Sequence, residues 1–377
     1  MALVKPFHAL RYDVEAAGPL DDLVAPPYDV ITPDVRKRLL AASDYNVVRL
    51  IRPHEPEEAG RAFRDWRARS VLVREERPAA WLLEETFVGP DGVARARRAL
   101  VARIPLHPYS DGVVVPHERT FPGPKRARLR LLRAVRTKLS PILLLHDGAP
   151  ARPRPERPPD LEASLAGAAS RLWRLAGDSE ASDALAAVRA PLLIADGHHR
   201  YETALRFHEE EATDETRYVL AALVSREDPG VVVFPTHRLV RGSVPELDGR
   251  FRVTAFAGTA SEAVQRLEEL PRDRPGFVFL SRDGAALAEA ERGALPYPAL
   301  DTAAIDSLQL EGVTFTASAT EAERAVATGT ASAAFLVRAP TVEEIEAVAS
   351  AGETLPPKTT YFYPKLTSGL LFSPFDE

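Results

Sequence analysis

The chain has 377 residues, of which 45% are hydrophobic and 27% charged, and its formal net charge is −6. This composition excludes a largely disordered chain and leaves room for two or three domains of roughly 100–200 residues each. Because the sequence contains no cysteine, it also excludes disulfides, a thiol nucleophile and thiolate metal sites.

No apolar run approaches the roughly 20 residues of a membrane span, and the first residues carry no signal-peptide pattern. We therefore expect a cytoplasmic protein with no membrane partner. The negative charge argues against a general nucleic-acid binder. Positive charge is nevertheless concentrated between Arg119 and Lys138, where eight lysines or arginines occur without one acidic residue.

The first hundred residues alternate between short helices and strands. The pattern predicts a helix over 32–42, with Thr32 as its cap and Pro33 at its first position. A strand is predicted over 46–51 and an amphipathic helix over 57–72. The segments 81–88 and 96–105 flank a turn and read as a β-hairpin.

The remaining predictions follow in chain order. They are a polar loop over 107–124, an arginine-studded helix over 125–136, a strand over 141–146, a Pro- and Arg-rich loop over 148–159, a helix over 179–188, a strand over 191–195, a helix over 199–211, strands over 218–224, 231–234 and 334–337, and a helix over 342–351. This mixture is typical of an α+β fold, and no long parallel βαβ series is evident.

The most informative stretch is LLIADGHHRYETAL. An apolar strand is predicted to end at a sharp turn and a helix to begin at once, which suits a phosphate or carboxylate at the positive helix end. Gly197 permits the turn, Arg200 is suited to bidentate anion contacts, and His198 and Glu202 share a helix face. The alternative is a structural turn in which Asp196 caps the helix.

A second polar cluster is HPYSDGVVVPHERTFPGPKRAR. Its candidate acid–base groups or metal ligands are His107, Asp111, His117 and Glu118, and its candidate anion contacts are Arg119, Lys125, Arg126 and Arg128. Asp111 and Glu118 are suited to Mg²⁺ that retains several waters. Zinc is disfavoured, because neither cluster has HExxH spacing and cysteine is absent. The alternative for the arginines is a solvated helix face.

Three smaller features carry weaker signals. Tyr28 and Asp29 follow two prolines, where turn chemistry explains the pattern as well as function does. His237 follows a predicted strand and is interpreted as a surface histidine. Lys358 and Lys365 lie in an aromatic, Pro-rich tail that we expect to pack against the rest of the protein.

Eight segments together resemble the bacterial and archaeal family called domain of unknown function 1015. They are KPFHALRYD, APPYDVI, YNVVRLIRP, VVPHERTFPGPK, LSPI, IADGHHRYETAL, PTHRLV and PPKTTYFYPKLTSGLLF. The match extends over nearly the whole chain. One departure is that Arg126 and Ala127 precede Arg128, where the family pattern reads an acid and Asp before the Arg.

A local resemblance bears on mechanism. ADGHHRYETAL is similar to the strand–turn–helix motif of the ParB/sulfiredoxin superfamily, which includes CTP-binding ParB proteins and free-serine kinases. The resemblance implies a mixed-sheet, ParB/sulfiredoxin-like nucleotide-binding core over residues 1–245. We expect a smaller C-terminal α/β region over 246–377, whose irregular tail packs back on the core.

The leading hypothesis is a nucleotide-binding phosphotransferase or nucleotide hydrolase that uses ATP, ADP or another nucleotide with Mg²⁺. The phosphate-binding residues would be Asp196, Gly197, His198, His199, Arg200, Lys125 and Arg128. The catalytic residues would be Glu118, His117, Asp29 and His199, and the metal ligands Glu118 and Asp111. By analogy with the serine kinases, the acceptor would be a small hydroxylated metabolite; the sequence also allows a homodimer.

Two alternatives remain at this point. One is a non-catalytic nucleotide switch of the ParB kind, which would bind nucleotide without steady turnover. The other is a metal-dependent hydrolase that uses His198, His199, His117 and Asp196, which would lose activity on chelation and need no nucleotide. Sulfiredoxin chemistry is excluded, because its nucleophile is a cysteine.

Overall fold

A computed structural model describes residues 3–151, 155–175, 178–243, 247, 249–291 and 300–375 of the chain. Its contacts divide the chain into two compact units. The first comprises residues up to Pro116, Thr120–Val231 and the tail from Pro364, and the second comprises His117–Arg119 and Val232–Tyr363. The predicted boundary between 245 and 246 lies outside the described residues, and the second unit already begins at Val232.

Twelve α-helices occur in the described part of the chain. They are α1 Val14–Ala17, α2 Leu20–Leu23, α3 Pro33–Ala42, α4 Val48–Ile51, α5 Pro56–Ala68, α6 Pro122–Val135, α7 Asp178–Ala187, α8 His198–Glu211, α9 Ala260–Glu268, α10 Asp301–Asp306, α11 Ala319–Ala327 and α12 Val342–Ser350. No helix among the described residues is long and apolar enough to cross a membrane.

The same residues form twenty strands. They are β1 Leu10–Tyr12, β2 Leu72–Arg74, β3 Ala80–Val88, β4 Ala94–Pro105, β5 Val114–Val115, β6 Thr137–Lys138, β7 Ile142–His146, β8 Leu161–Leu165, β9 Ala168–Leu175, β10 Leu192–Asp196, β11 Tyr218–Ser225, β12 Val232–Phe234, β13 His237–Val240, β14 Phe251–Phe256, β15 Gly276–Ser281, β16 Gly284–Ala290, β17 Val313–Thr316, β18 Ala333–Leu336, β19 Tyr361–Tyr363 and β20 Ser373–Pro374.

The first unit is built on an eight-stranded mixed sheet in the order β5-β10-β7-β11-β4-β3-β9-β8. β10 is parallel to β5 and β11 to β7, whereas the other neighbours are antiparallel. Alternate residues of β7, such as Ile142 and Leu144, face Tyr201 and Ala204 of α8 in one buried core. α8 is thereby fixed against the sheet, and its first turn follows the end of β10.

The second unit contains a six-stranded antiparallel sheet in the order β14-β16-β15-β18-β13-β17. Neighbouring residues of β15 point to opposite faces, as the strand period requires. Val278 packs in the core that contains α9 and α11, whereas Phe277 packs in the core that contains α10. The mixed α/β class predicted from the sequence is confirmed in both units.

Most of the predicted elements are confirmed within a few residues, and α3 begins as expected, with Thr32 Oγ1 accepting from the Val35 N–H at 3.3 Å. The predicted strand over 46–51 is wrong, because this segment contains α4. Asn46 is buried there; its amide donates to the Asp22 and Val24 carbonyls, and its Oδ1 accepts from the Val48 N–H. These bonds fix a turn that an apolar run alone does not predict.

Two further corrections concern boundaries and a missed hairpin. The helix predicted over 57–72 ends at Ala68, and Leu72 begins β2. No element was predicted between 160 and 178, where β8 and β9 form a hairpin whose two turn residues, Ala166 and Gly167, both have positive φ. Of the predicted Pro- and Arg-rich loop over 148–159, residues 152–154 lie outside the described residues.

Candidate functional site

The turn between β10 and α8 depends on a glycine for two reasons. Gly197 has φ +102°, a region that side-chain-bearing residues rarely adopt. A Cβ at this position would also lie 2.7 Å from Ile142 Cγ2. The register of β10 against β7 shifts between Ile194 and Asp196, and such irregularities re-aim side chains near sites. Packing and backbone geometry therefore both fix where Asp196 and the first turn of α8 lie.

Asp196 is the centre of a buried group of three charges. Its exposed fraction is 8%, its Oδ1 accepts a hydrogen bond from Lys365 Nζ, and its Oδ2 lies 2.5 Å from Arg200 Nη2. Burial alone raises the pKa of Asp196, but the positive charges of Lys365 and Arg200 outweigh it and hold the pKa well below its usual range. Two cations thus face one carboxylate.

Arg200 is already engaged inside the protein. Besides Asp196, its guanidinium donates to the carbonyl oxygen of Pro141, and its side chain is 14% exposed. The guanidinium therefore holds the end of β10 against the segment before β7. In this arrangement Arg200 supplies positive charge to the site and positions Asp196. Its guanidinium is not available for the bidentate contact with an anion that the sequence suggested.

The helices α6 and α8 lie side by side and run parallel. Four contacts join residues separated by a nearly constant interval in sequence: Phe121 with His199, Lys125 with Glu202, Arg133 with Glu210, and Arg136 with Glu211. In antiparallel helices this interval would change steadily from contact to contact. The two N-termini consequently lie together, at Phe121–Pro122 and Gly197–His198.

Paired helix N-termini create a positively polarised place in the structure. Each N-terminus carries roughly half a positive charge, and neither first turn contains an acidic residue. No side chain of the N-cap residue caps either helix, since Gly197 has none and Phe121 is apolar. Two parallel dipoles repel each other at their ends, so an anion placed there stabilises both helices.

Polar side chains tie the two N-termini together. The Phe121 N–H donates to His199 Nε2 at 3.0 Å, and the two rings stack. Because His199 Nε2 accepts this bond, a neutral His199 carries its proton on Nδ1. Glu202 accepts from Thr120 Oγ1 at 2.7 Å and from Lys125 Nζ at 2.8 Å. Lys125 therefore lies beside both helix starts and is paired with one carboxylate.

A cleft of the first unit lies along the later turns of α6 and shares Arg200 with the Asp196 group. It encloses about 570 Å³ of empty space, part of it open to solvent. Its lining includes Tyr28, Arg128, Leu131, Leu132, Arg200 and Val219. The guanidinium of Arg128 lies 4.1 Å from the centre of the Tyr28 ring and donates to the Ile51 carbonyl at 2.7 Å. The cleft thus combines apolar walls with two arginines.

Asp29 supplies an exposed carboxylate beside this cleft. Its charge acts on Tyr28, Arg128 and Lys365: desolvation lowers the pKa of Lys365, and the charges of Asp196 and Asp29 reverse that effect and raise it. Within the described part of the chain, no lysine or arginine lies within ion-pair distance of Asp29. Asp29 therefore lies close enough to act electrostatically on Arg128 and Lys365 without contacting either.

Other predicted site residues belong elsewhere. His117 and Glu118 are part of the second unit; His117 is buried with its Nε2 2.9 Å from Thr360 Oγ1, and Glu118 forms a bridge with Leu355. Asp111 belongs to the first unit and lies 3.4 Å from His107 Nδ1. The predicted magnesium ligands Glu118 and Asp111 thus belong to different units, and their pairing stays a prediction.

Metal ligands form no ready-made cluster in the described residues. No group of three or more histidine, aspartate or glutamate side chains is arranged there to hold a metal ion. His198 is buried at the start of α8 and influences the charge of Asp196. This arrangement gives no support to a hydrolase built on His198, His199, His117 and Asp196.

Lys365 is the site residue that sequence reasoning missed. It lies in the aromatic tail, for which only a packing role was expected, and it reaches Asp196 across 169 residues of sequence. Its only sequence signal is a lysine among apolar and aromatic residues of a tail expected to pack back on the core. Such a charge, once buried, requires a partner.

Comparison with known proteins gives a family and distant structural likenesses. No curated protein matches the chain in sequence. A solved structure of a free serine kinase in complex with AMP is 18% identical, with TM-score 0.43, over 72% of this chain and 92% of that one. A conserved hypothetical protein from Pyrococcus furiosus is 17% identical, with TM-score 0.39, over 72% and 95% of the two chains.

A third solved structure is SbnI with a C-terminal truncation, from Staphylococcus aureus. It is 13% identical, with TM-score 0.36, over 71% of this chain and 84% of that one. Likenesses this distant assign no activity. The family comparison is stronger, because one family model matches residues 4–308. The chain therefore belongs to the family described as Protein of unknown function (DUF1015).

Proposed function

We propose that the first unit binds the phosphates of a nucleotide at the paired N-termini of α6 and α8 and catalyses phosphoryl transfer to a small hydroxylated metabolite or to water. The observation that carries this proposal is the parallel packing of the two helices, with no acidic residue in either first turn. Two positive helix ends and a nearby lysine form the equipment that phosphoryl transfer requires, because that reaction depends mainly on positioning and charge stabilisation.

A cleft of the first unit that Arg200 also lines supports a nucleotide rather than a bare phosphate. It encloses about 570 Å³ of empty space, part of it open to solvent. Leu131, Leu132 and Val219 offer apolar contact to a base, and Tyr28 offers an aromatic ring. Arg128 and Arg200 line the same cleft, so a ligand there lies next to positive charge.

The named residues divide into three roles. Gly197, His198 and His199 would present the helix start to the phosphates, with Lys125 beside them. Arg128 would neutralise charge on the cleft side, whereas Arg200 and Asp196 position the turn. This strand–turn–helix arrangement also supports the finer likeness to the ParB/sulfiredoxin superfamily that the sequence motif suggests.

The chemistry needs a base for the acceptor. The acceptor oxygen would bond to the transferred phosphorus, the bond to the bridging oxygen of the nucleotide would break, and the acceptor proton would pass to a carboxylate. Asp29 is the candidate base in the first unit, since it is exposed and close to the charged group. Glu118 and His117, the other predicted catalytic residues, belong to the second unit. His199 is held as a neutral hydrogen-bond acceptor and would contact phosphate.

Mg²⁺ fits this donor set only with help from the nucleotide. Magnesium sites in phosphotransferases commonly use one or two protein carboxylates, with phosphate oxygens and waters completing the coordination. Within the first unit, Asp29 or the predicted ligand Asp111 would supply the protein oxygens, whereas the predicted ligand Glu118 belongs to the second unit. The ion would neutralise charge on the phosphates.

Nucleotide binding is tested by calorimetry and thermal unfolding with ATP, ADP, CTP, GTP and tripolyphosphate, with and without Mg²⁺. Binding to the folded state raises the unfolding midpoint. We expect Lys125→Met to bind about tenfold more weakly, as the loss of one charge-assisted contact implies. Lys37→Met removes an exposed lysine of α3 and should bind like the parent. Glu202→Gln frees Lys125 and should bind at least as tightly as the parent.

Turnover separates the enzyme from a binding switch. Steady release of ADP or another product from bound nucleotide supports phosphoryl transfer, and Asp29→Asn should slow it about 10²–10⁴-fold while nucleotide still binds. Stoichiometric binding without turnover would support the switch. Absence of binding by every nucleotide and by tripolyphosphate would overturn the proposal.

A further inference from the structure

Arg238 is a buried cation of the second unit that has no acidic partner within ion-pair distance in the described part of the chain. It lies on β13 and is 2% exposed. Its Nη1 donates to the carbonyl oxygen of Thr236 at 2.5 Å and contacts Thr236 Oγ1 at 3.1 Å. Among the same residues, neither its Nε nor its Nη2 donates a hydrogen bond. Burying a guanidinium without a counter-ion is costly, so this one is available to an anion.

A pocket lies against this guanidinium. It encloses about 460 Å³ of empty space, part of it open to solvent, and its lining includes Arg238, Ile305, Asp306, Leu310, Val313 and Phe315. The guanidinium lies 5.5 Å from the centre of the Phe315 ring, and Phe315 is 45% exposed. A soluble ligand could therefore reach apolar walls and a buried cation in one pocket.

Asp306 gives the pocket a second, opposite charge. It is exposed at the end of α10, and it forms no ion pair with Arg238 in the described residues. Partial desolvation of its carboxyl group by the surrounding atoms raises the pKa of Asp306, and the charges of Arg238 and Arg119 act against that rise. The pocket therefore offers a buried cation, an accessible carboxylate and apolar surface between them.

We propose that this pocket binds a small α-amino acid with an apolar side chain. The ligand carboxylate pairs with Arg238, whose planar fork matches a carboxylate. The ligand ammonium faces Asp306, and its side chain lies on Ile305, Leu310 and Phe315. A dianionic phosphate fits less well, because Asp306 repels it. This site consists of residues of the second unit alone and is independent of the phosphate site proposed above.

The test is calorimetry of the full chain with valine, leucine, isoleucine and phenylalanine, each compared with its amide, and with isovalerate and inorganic phosphate. At least one of the amino acids should bind, and its amide should bind at least about tenfold more weakly because the charged carboxylate contact is lost. Arg238→Met should abolish binding, and Arg238→Lys should restore part of it. Arg252→Met is the matched control, since Arg252 is exposed and pairs with Glu289.

Asp306→Asn separates the two charges. It should weaken binding of the amino acid, whose ammonium loses its partner, and leave binding of isovalerate as tight as in the parent or tighter. Failure of every amino acid to bind would overturn the proposal, and so would binding that survives in Arg238→Met. Preferential binding of phosphate over all the carboxylates would also overturn it. Nucleotide binding by the first unit does not enter any of these outcomes.

Discussion

Two buried carboxylates, one in each unit, differ in the number of cations that contact them. In the second unit, Asp301 pairs with Arg338 through two hydrogen bonds of 2.8 and 2.7 Å, and Arg338 also donates to the carbonyls of Leu270 and Arg274. Both residues are at most 6% exposed. In the first unit, Asp196 faces two cations, Lys365 and Arg200, beside a glycine turn and two helix starts.

The difference distinguishes a structural ion pair from a site. The pair of Asp301 and Arg338 has no net charge, and the guanidinium nitrogens of Arg338 all donate to protein oxygens, so no donor remains for a ligand. In the Asp196 group, two cations contact one buried carboxylate next to the N-terminus of α8, and the other carboxylate that acts on Lys365, that of Asp29, is exposed. An excess of buried or half-buried charge is unfavourable by itself and is relieved by a bound anion.

The largest expected effect on stability comes from breaking the ion pair of Asp301 and Arg338. Arg338→Met leaves Asp301 charged and buried, and we expect it to lower the free energy of unfolding by about 3–5 kcal/mol. Chemical denaturation with a probe in the second unit measures this loss. The exposed pair of Arg252 and Glu289 is the reference, since Arg252→Met should cost no more than about 1 kcal/mol. Equal losses in the two variants would contradict the assignment of Arg338.

The next effect concerns the turn that holds Asp196. Gly197→Ala places a Cβ against Ile142 and forces a positive φ on alanine, so we expect a loss of about 3 kcal/mol. Gly112→Ala has a positive φ but no atom within 4 Å of its Cβ, and it should cost about 1 kcal/mol. Denaturation of both variants checks the difference. A Gly197→Ala protein as stable as Gly112→Ala would show that the close packing is relieved without cost.

Removing Lys365 from the Asp196 group should change how the stability of the protein depends on pH. Asp196 has a lowered pKa in the folded protein, so its contribution to stability is present above the unfolded pKa and is lost as pH falls. Lys365→Met leaves burial less opposed, which raises the pKa of Asp196 and moves this loss to higher pH. We expect a cost of about 1–3 kcal/mol at pH 7.

Unfolding midpoints between about pH 7 and pH 3 measure the shift. Lys37→Met is the control, because Lys37 is exposed on α3. If the unfolding midpoints of Lys365→Met and the parent fall in the same way as the pH is lowered, Lys365 does not control the ionisation of Asp196.

The smallest effect is a gain in stability. Lys138 is buried, its Nζ has no hydrogen-bonding partner in the described residues, and burial lowers its pKa to about 7. Between pH 7 and its unfolded pKa, the unfolded chain binds more protons, so this lysine makes the stability of the parent rise with pH. Lys138→Met should be about 1 kcal/mol more stable at pH 7 and lack that rise. The free energies of unfolding of the parent and Lys138→Met, measured at neutral and alkaline pH, test this prediction. A variant that is less stable than the parent at pH 7 contradicts it.

Local sequence patterns predicted the elements that local interactions determine. Thr32 and Pro33 predict the start of α3, because a hydroxyl side chain at the N-cap and a proline at the first position both favour a helix N-terminus. The apolar run before Asp196, followed by Gly197, predicts the turn between β10 and α8. The segment from Asn46 to Ile51 was mispredicted because a short apolar run fits a strand or a buried helix equally, and the bonds of Asn46 to distant carbonyls decide between them.

By itself the sequence determined the family, the mixed α/β class, the strand–turn–helix at Asp196–Arg200 and the concentration of positive charge in α6. Only the tertiary structure decided that α6 and α8 lie parallel with their N-termini together, that Lys365 pairs with Asp196, and that Arg238 is buried without an ion pair among the described residues. The physical reason is that caps, turns and periodicity act over a few residues. Charge pairing and helix orientation depend on packing between segments that are far apart in sequence.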